Sequence, residues 1–259
     1  MPKKAKNTAL ATTGAKSKAL AITKAPAYIK STARGTEKLK AADVTLPFLR
    51  LANEKSPAVI DGLVKVGQWY NSVTNESFGE SVEVIVLCAI VGQMHFGEYG
   101  SDEGILCRAA DGETADAPNG ETVKGKPTNK CAECKFSLWT TDKKGKIVKP
   151  ECMKQGIFFV TLPGTSAPMI LVLQSTNFPA ARRLNTILAS GGVDAFAHVI
   201  GLSYVPVKGP KGTTFKVSVS KIGFVEEEDF KNAEKLYTST SKLLTSSKQL
   251  ETIAADEAE

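Results

Sequence analysis

Four of the five cysteines, Cys107, Cys131, Cys134 and Cys152, follow the spacing C-x23-C-x2-C-x17-C. Thiolates are soft donors, and a tetrahedral zinc site needs four ligands converging at about 2.3 Å. A C-x-x-C turn supplies two of them at once, and long loop-rich intervals let strand ends bring the others. Four sulfurs would leave no coordination position for water, so the spacing predicts a structural zinc and not a catalytic one. Three other chemistries compete for these residues. Two disulfides need an oxidising compartment, and no export signal is present. A redox C-x-x-C needs a strand-to-helix setting that Cys131 and Cys134 lack. A zinc deaminase needs H-x-E followed by P-C-x-x-C; here His95-Phe96-Gly97-Glu98 has one residue too many, and Lys130 precedes Cys131. The fifth cysteine, Cys88, lies within an apolar strand and reads as a small core residue.

The segment around these cysteines also carries cations and rings. Lys130, Lys135, Phe136, Trp139, Lys143, Lys144 and Lys146 fall within a short span. Binding an unpaired strand calls for a cationic groove and exposed aromatics on which bases stack. Trp69 and Tyr70, in a strand beside Lys65, are further candidates, as are Arg182 and Arg183 at the start of a helix. In the last strand Phe215, Val217 and Val219 share one face and Lys216 the other. Core packing competes with stacking for every ring. Phe158, Phe159, Phe196 and Tyr204 read as packing residues.

Positioning these groups falls to a chain of mostly short strands. Leu46–Leu51 and Val64–Tyr70 are expected to be extended, with the turn-rich 53–62 between them. Val82–Val91 reads as a long buried strand. Residues 108–130 are loop, forming part of a zinc knuckle inserted at about 104–152. Ile157–Leu162 and Met169–Gln174 pair next, and a helix follows. Pro179 sits at its start, with Leu184, Ile187 and Leu188 on one stripe and Gly191-Gly192 at its end. Strands His198–Val207 and Thr214–Phe224 follow, then a helix at Glu226–Leu244 with acids in its first turn. Strand, insertion, strand, strand, helix, strand, strand is the element order of the OB-fold. The sequence therefore predicts a mainly β protein with an OB-fold-like five-stranded barrel. An α+β sandwich built from the same elements is its rival.

The 259 residues are 42% hydrophobic and 23% charged, an ordinary globular composition. Net charge is +6, but it is unevenly spread. Residues 1–40 hold ten bases against Glu37, and residues 226–259 hold nine acids against four lysines. Residues 1–42 read as a disordered basic arm, either a solubilising tail or a seeker of polyanions. The acidic end is a frayed helix end, a competitor for the basic surface, or a dock for replication or recombination proteins. The longest apolar run, Val84–Val91, is far short of the roughly 18 residues that cross a bilayer. These features predict a protein of the cytoplasm, the host's if it is phage-encoded, with no membrane partner. No nucleophile–base pair, acidic metal cluster or phosphate-binding glycine motif is recognisable, and with two histidines an enzyme is not expected.

Leu46-Pro47-Phe48-Leu49-Arg50-Leu51, Gly67-Gln68-Trp69-Tyr70 and the spaced cysteines, taken together, resemble single-stranded DNA-binding proteins of tailed bacteriophages. The resemblance covers residues 45–230. It implies an OB-fold core with an inserted zinc module, a basic surface and an acidic C-terminus, and a role in replication or recombination. The acidic end departs from that pattern in lacking a terminal aromatic. Binding would be independent of sequence, with DNA or RNA as the strand. The competing expectation is a zinc-stapled transcription or virion component with no strand preference.

Overall fold

The computed structural model describes residues 45–97, 104–115, 120–142, 144–209 and 212–244. The basic arm and the acidic end after Leu244 lie outside the described residues. The elements are β1 (Leu49–Leu51), α1 (Pro57–Ile60), β2 (Trp69–Asn71), β3 (Ser77–Gly79), β4 (Val82–Phe96) and β5 (Ile105–Ala109). Four two-residue strands follow, β6 (Gly120–Glu121), β7 (Pro127–Thr128), β8 (Thr140–Thr141) and β9 (Ile147–Val148). The chain continues with β10 (Met153–Thr161), β11 (Met169–Gln174), α2 (Phe178–Ser190), β12 (His198–Gly209), β13 (Gly212–Phe224) and α3 (Glu227–Leu244).

Strand β4 is the spine. Along 15 residues it pairs antiparallel with β10 on one side; on the other it pairs with β12 through Val82–Ile85 and with β5 through Gln93–Phe96. Its apolar run is continuous because both faces are covered, and side chains alternate between them. Val84 and Val86 meet Phe158, Val160, Leu171 and Leu202 beneath the apolar stripe of α2, Ala181, Leu184 and Leu188. Ile85 and Leu87 meet Ile157, Phe159 and Ile170 on the opposite face, beneath Phe196 and the α3 residues Ala233, Phe230 and Leu236. Each fully buried large side chain contributes roughly 1.5–3 kcal/mol. Helix α2 rests directly on β10 because residue 156 is glycine: a Cβ there would lie 2.6 Å from that of Ala181. Among the described residues no helix is long and apolar enough to cross a membrane.

The protein is mainly β, as the strand pattern predicts, and its sheets are antiparallel, but none closes into a barrel. The main sheet runs β11-β10-β4-β12-β13 with β5 beside β4, and no ladder joins β11 to β13. The reason is that both edges are engaged elsewhere. The backbone N–H of Ile170 in β11 donates to Pro47 O at 2.8 Å, and Phe48 forms a parallel bridge with Ile170. On the facing edge the Val217 N–H donates to the Asn177 side chain at 2.9 Å. A segment preceding β1 and the turn preceding α2 thus occupy the positions a closing ladder would need. The layout is an open antiparallel sheet with a helix packed on each face.

The three-stranded sheet β1-β2-β3 flanks this assembly. Trp69 joins the main core while its neighbour Tyr70 enters a smaller cluster with Ala52, Ala58 and Val64. Strand β2 therefore buries both of its faces.

Candidate metal centre and nucleic-acid interface

The cysteine insertion grows out of the far end of β4. His95 lies opposite Cys107 across the β4–β5 ladder, which roots the first thiol in the main sheet. The chain then turns at Asp111, whose carboxylate accepts the backbone N–H groups of Glu113 and Thr114, both at 2.8 Å. Those donors, Thr114 foremost, hold its carboxyl below the ordinary range. The loop between β5 and the C-x-x-C pins the middle pair. The Cys131 N–H donates to Glu113 O at 2.8 Å, and Thr122 bridges to Cys134. Cys131 and Cys134 stand on one tight turn, with the Cys134 N–H reaching Cys131 O at 3.3 Å. Glycine is required at position 120, where a Cβ would lie 2.7 Å from Thr128 O and 3.1 Å from Cys134 Sγ. The last thiol arrives at the root of β10, its N–H donating to Phe136 O at 2.9 Å.

The four cysteines drawn from three separate stretches of chain line a single cavity of about 10 Å3, the space of one water-sized sphere. All five cysteines are free thiols. Burial pushes the Cys131 thiol up to about 11, and the neighbouring Cys107, Cys152 and Cys134 add to the rise. Burial also raises Cys152, against the pull of the Ser137 hydroxyl beside it. Such mutual repulsion is what a bound cation reverses. Among the described residues, however, no three His, Cys, Asp or Glu side chains are already close enough together to hold a metal ion. The thiols surround the cavity without closing to coordination distance. Cys88, in contrast, stays in the β4 core, where burial pushes its thiol up to about 12.

Around this centre the candidate binding residues divide. Trp69 and Tyr70 are 1% and 3% exposed, so the expectation that their rings face a strand is corrected: both are packed. Phe136 is half-buried; its ring lies 4.7 Å from that of His95 and 4.9 Å from the Lys135 ammonium, which also pairs with Glu121. His95 in turn lies 3.2 Å from the Glu151 carboxylate. Trp139 is 70% exposed. Arg182, Arg183, Lys144 and Lys216 are exposed, and Lys143 lies outside the described residues.

Trp139 and Arg182 come together in one groove. It encloses about 890 Å3 between the insertion and the start of α2. Lys149, Lys154, Ser175 and Asn185 also line it, and among the described residues no acidic side chain does. Lys149 and Lys154 were not among the sequence candidates; the signal was available in their position on either side of Cys152, at the root of β10. Arg183 and Lys216 do not line this groove. No curated protein and no solved structure matches the chain. One family model does, over residues 15–244, and the chain belongs to the Pam3 phage gp34-like protein family.

Proposed function

We propose that this phage-family protein binds single-stranded DNA without sequence preference and is not an enzyme. The observation that carries the reading is the groove, where a 70% exposed Trp139 shares the lining with Lys149, Lys154 and Arg182 and, among the described residues, with no acid. A stacking ring flanked by phosphate-neutralising side chains suits an unpaired strand, since stacking accepts every base and lysines release counterions. The strand pairing supports it too. Taking β4, β10, β11, β12 and β13 as strands one to five, four of the five OB-fold ladders are present, with α2 between the third and fourth strands. The OB-fold is commonly a partly open barrel, so the missing ladder between β11 and β13 does not oppose the reading.

Zinc held by Cys107, Cys131, Cys134 and Cys152 is part of the proposal. The four line one cavity, and a cation bound among them would convert the mutual repulsion of their thiolates into attraction. The metal would supply a cross-link and no chemistry on the strand; its work is to hold Trp139 at the rim of the groove. A role in coating exposed strands during phage replication or recombination, in the host cytoplasm, follows from this reading.

Tryptophan fluorescence tests it. Titration with an oligothymidylate should quench emission, and Trp139→Phe should remove nearly all of the quenching because Trp69 is sealed. Affinity should fall steeply as salt rises, as counterion release requires. Equal affinity for duplex and single strand, or none for either, would favour a zinc-stapled interaction protein.

A further inference from the structure

The β8–β9 hairpin adjoins the groove, and its two faces are not alike. Its register sets Thr140 opposite Val148 and Thr141 opposite Ile147. Cross-strand partners share a face and successive residues alternate, so Trp139, Thr141, Ile147 and Lys149 stand on one side. Trp139 and Lys149 both line the groove, so this side of the hairpin continues its wall. It is also the barer side: Ile147 is 69% exposed, against 40% for Val148 on the other. Trp139 and Ile147 are diagonal neighbours across the ladder, roughly 7–8 Å apart. Two large apolar side chains left in water side by side, with charges around them, mark a surface that contacts something else.

Charge selects the partner. Residues 138–150 hold four lysines and a single acid, Asp142. The Asp142 carboxylate is turned onto the backbone of the tip, where it accepts the N–H groups of Lys144 and Lys146, both at 2.8 Å. Lys144, Lys146 and Lys149 are exposed, and none of them forms an ion pair among the described residues. We propose that the bound strand leaves the groove along this hairpin, with Ile147 as a second base contact beyond Trp139 and Lys144 at the tip meeting the phosphate past it. The inference rests on the strand-binding reading and extends its site. From groove to tip the hairpin offers a ring, a cation, an aliphatic surface and a cation, and an unpaired strand offers base faces and phosphates in the same alternation. A base laid on Ile147 would cover apolar surface that the fold leaves in water, and every base has such a face. A duplex keeps those faces stacked inside, so this contact favours the single strand over the double.

The experiment uses the full chain with a relocated reporter and oligothymidylates of increasing length. In the double variant Trp139→Phe, Ile147→Trp the groove keeps a ring, position 147 gains a fluorophore, and Trp69 stays sealed. The reporter should be silent with the shortest oligomers that quench Trp139 in the native chain, and quenched once the oligomer is a few nucleotides longer. Separately, Ile147→Ala should weaken long oligomers about tenfold, the value of one apolar side chain largely covered, and leave the shortest bound as before. Its denaturation midpoint should not move, because the side chain is exposed. A reporter unquenched at every length, with unchanged affinity in Ile147→Ala and normal Trp139 quenching, would overturn the hairpin contact and favour a protein partner for this face, leaving the strand-binding reading standing. Absence of any oligomer binding by the native chain would overturn both. Ile147→Ala alone decides the question if the double variant fails to fold.

Discussion

The main sheet and the cysteine insertion solve the same problem by different means. In the sheet both faces are sealed, by residues such as Phe158 and Ile200 on one and Ile157 on the other, and hydrocarbon holds the structure. The insertion has strands of only two residues, and Val123, Trp139 and Ile147 are each about 70% exposed or close to it. What it buries is sulfur: Cys131 at 8% and Cys134 at 6% exposure are among its few sealed side chains. A region that buries so little cannot offset the entropy of ordering its loops by apolar contact alone. The difference is why the proposed zinc cross-link falls in the insertion and not in the sheet, and why the proposed ligand meets rings that the insertion leaves unburied.

The largest effect should come from the sheet. Phe158→Ala removes a ring packed between β10 and α2 and should cost about 3–5 kcal/mol of global stability, read by urea denaturation. A loss below about 1 kcal/mol would mean that the sheet is not the seat of stability.

Next comes the cross-link. Cys134→Ser, or removal of metal by a chelator, should leave the denaturation midpoint of the sheet almost unchanged while opening residues 120–152 to protease. Strand affinity should fall about tenfold or more, because stacking is worth roughly 1–3 kcal/mol per base and Trp139 would lose its support. Thiol alkylation sharpens the contrast. After chelation four thiols should react readily and Cys88 should not, since burial in β4 holds it at about 12. Normal zinc content and normal affinity in Cys134→Ser would break the comparison.

A smaller effect should follow from charge alone. Arg182 is exposed on α2 and lines the groove, so Arg182→Ala should weaken strand binding at low salt without changing stability. If it neutralises one phosphate, the slope of log affinity against log salt should drop by about one. Arg183→Ala, next to it on the helix but outside the groove, is the control and should change the slope less.

The two regions also differ in how far their sequence foretells them. In the sheet, period and punctuation were enough. The expected strand Met169–Gln174 coincides with β11, and the stripe after Pro179 coincides with α2. Strand β4 runs five residues beyond the apolar Val82–Val91 because Gln93–Phe96 pair with β5, a partner no local pattern reveals. Closure was misjudged for a similar reason, since what occupies the edge of β11 is Pro47 and Phe48, more than a hundred residues away. Exposure of rings was legible only in part. Trp69-Tyr70 and Trp139 look alike as aromatic-bearing segments near lysines, yet β2 has a core on each side and the insertion has none. The cysteine spacing led to the expectation of four thiolates converging on a zinc ion. The four thiols line one cavity, but among the described residues no three ligand side chains are placed to hold a metal ion, because spacing along the chain brings segments together without setting how closely their side chains approach.

The smallest expected effect tests the sheet side of the comparison through a titratable group. His198 is fully buried at the start of β12, and both ring nitrogens lack hydrogen-bonding partners among the described residues. Its ring lies 5.1 Å from that of Phe224, over which the Lys221 ammonium sits. Burial, helped by Lys221, holds its pKa below the ordinary value. The unfolded chain therefore takes up a proton first as pH falls. Stability should be level above His198's ordinary pKa, roughly 6.5, decline as pH drops below it toward the folded value, and level off beyond. Denaturation midpoints measured about one unit on either side of 6.5 should differ for the native chain. In His198→Gln the difference should shrink, because the side chain no longer titrates. Since His198 packs in the sheet and does not line the groove, His198→Gln should leave zinc content and strand affinity at neutral pH unchanged; loss of either would show the two regions to be coupled.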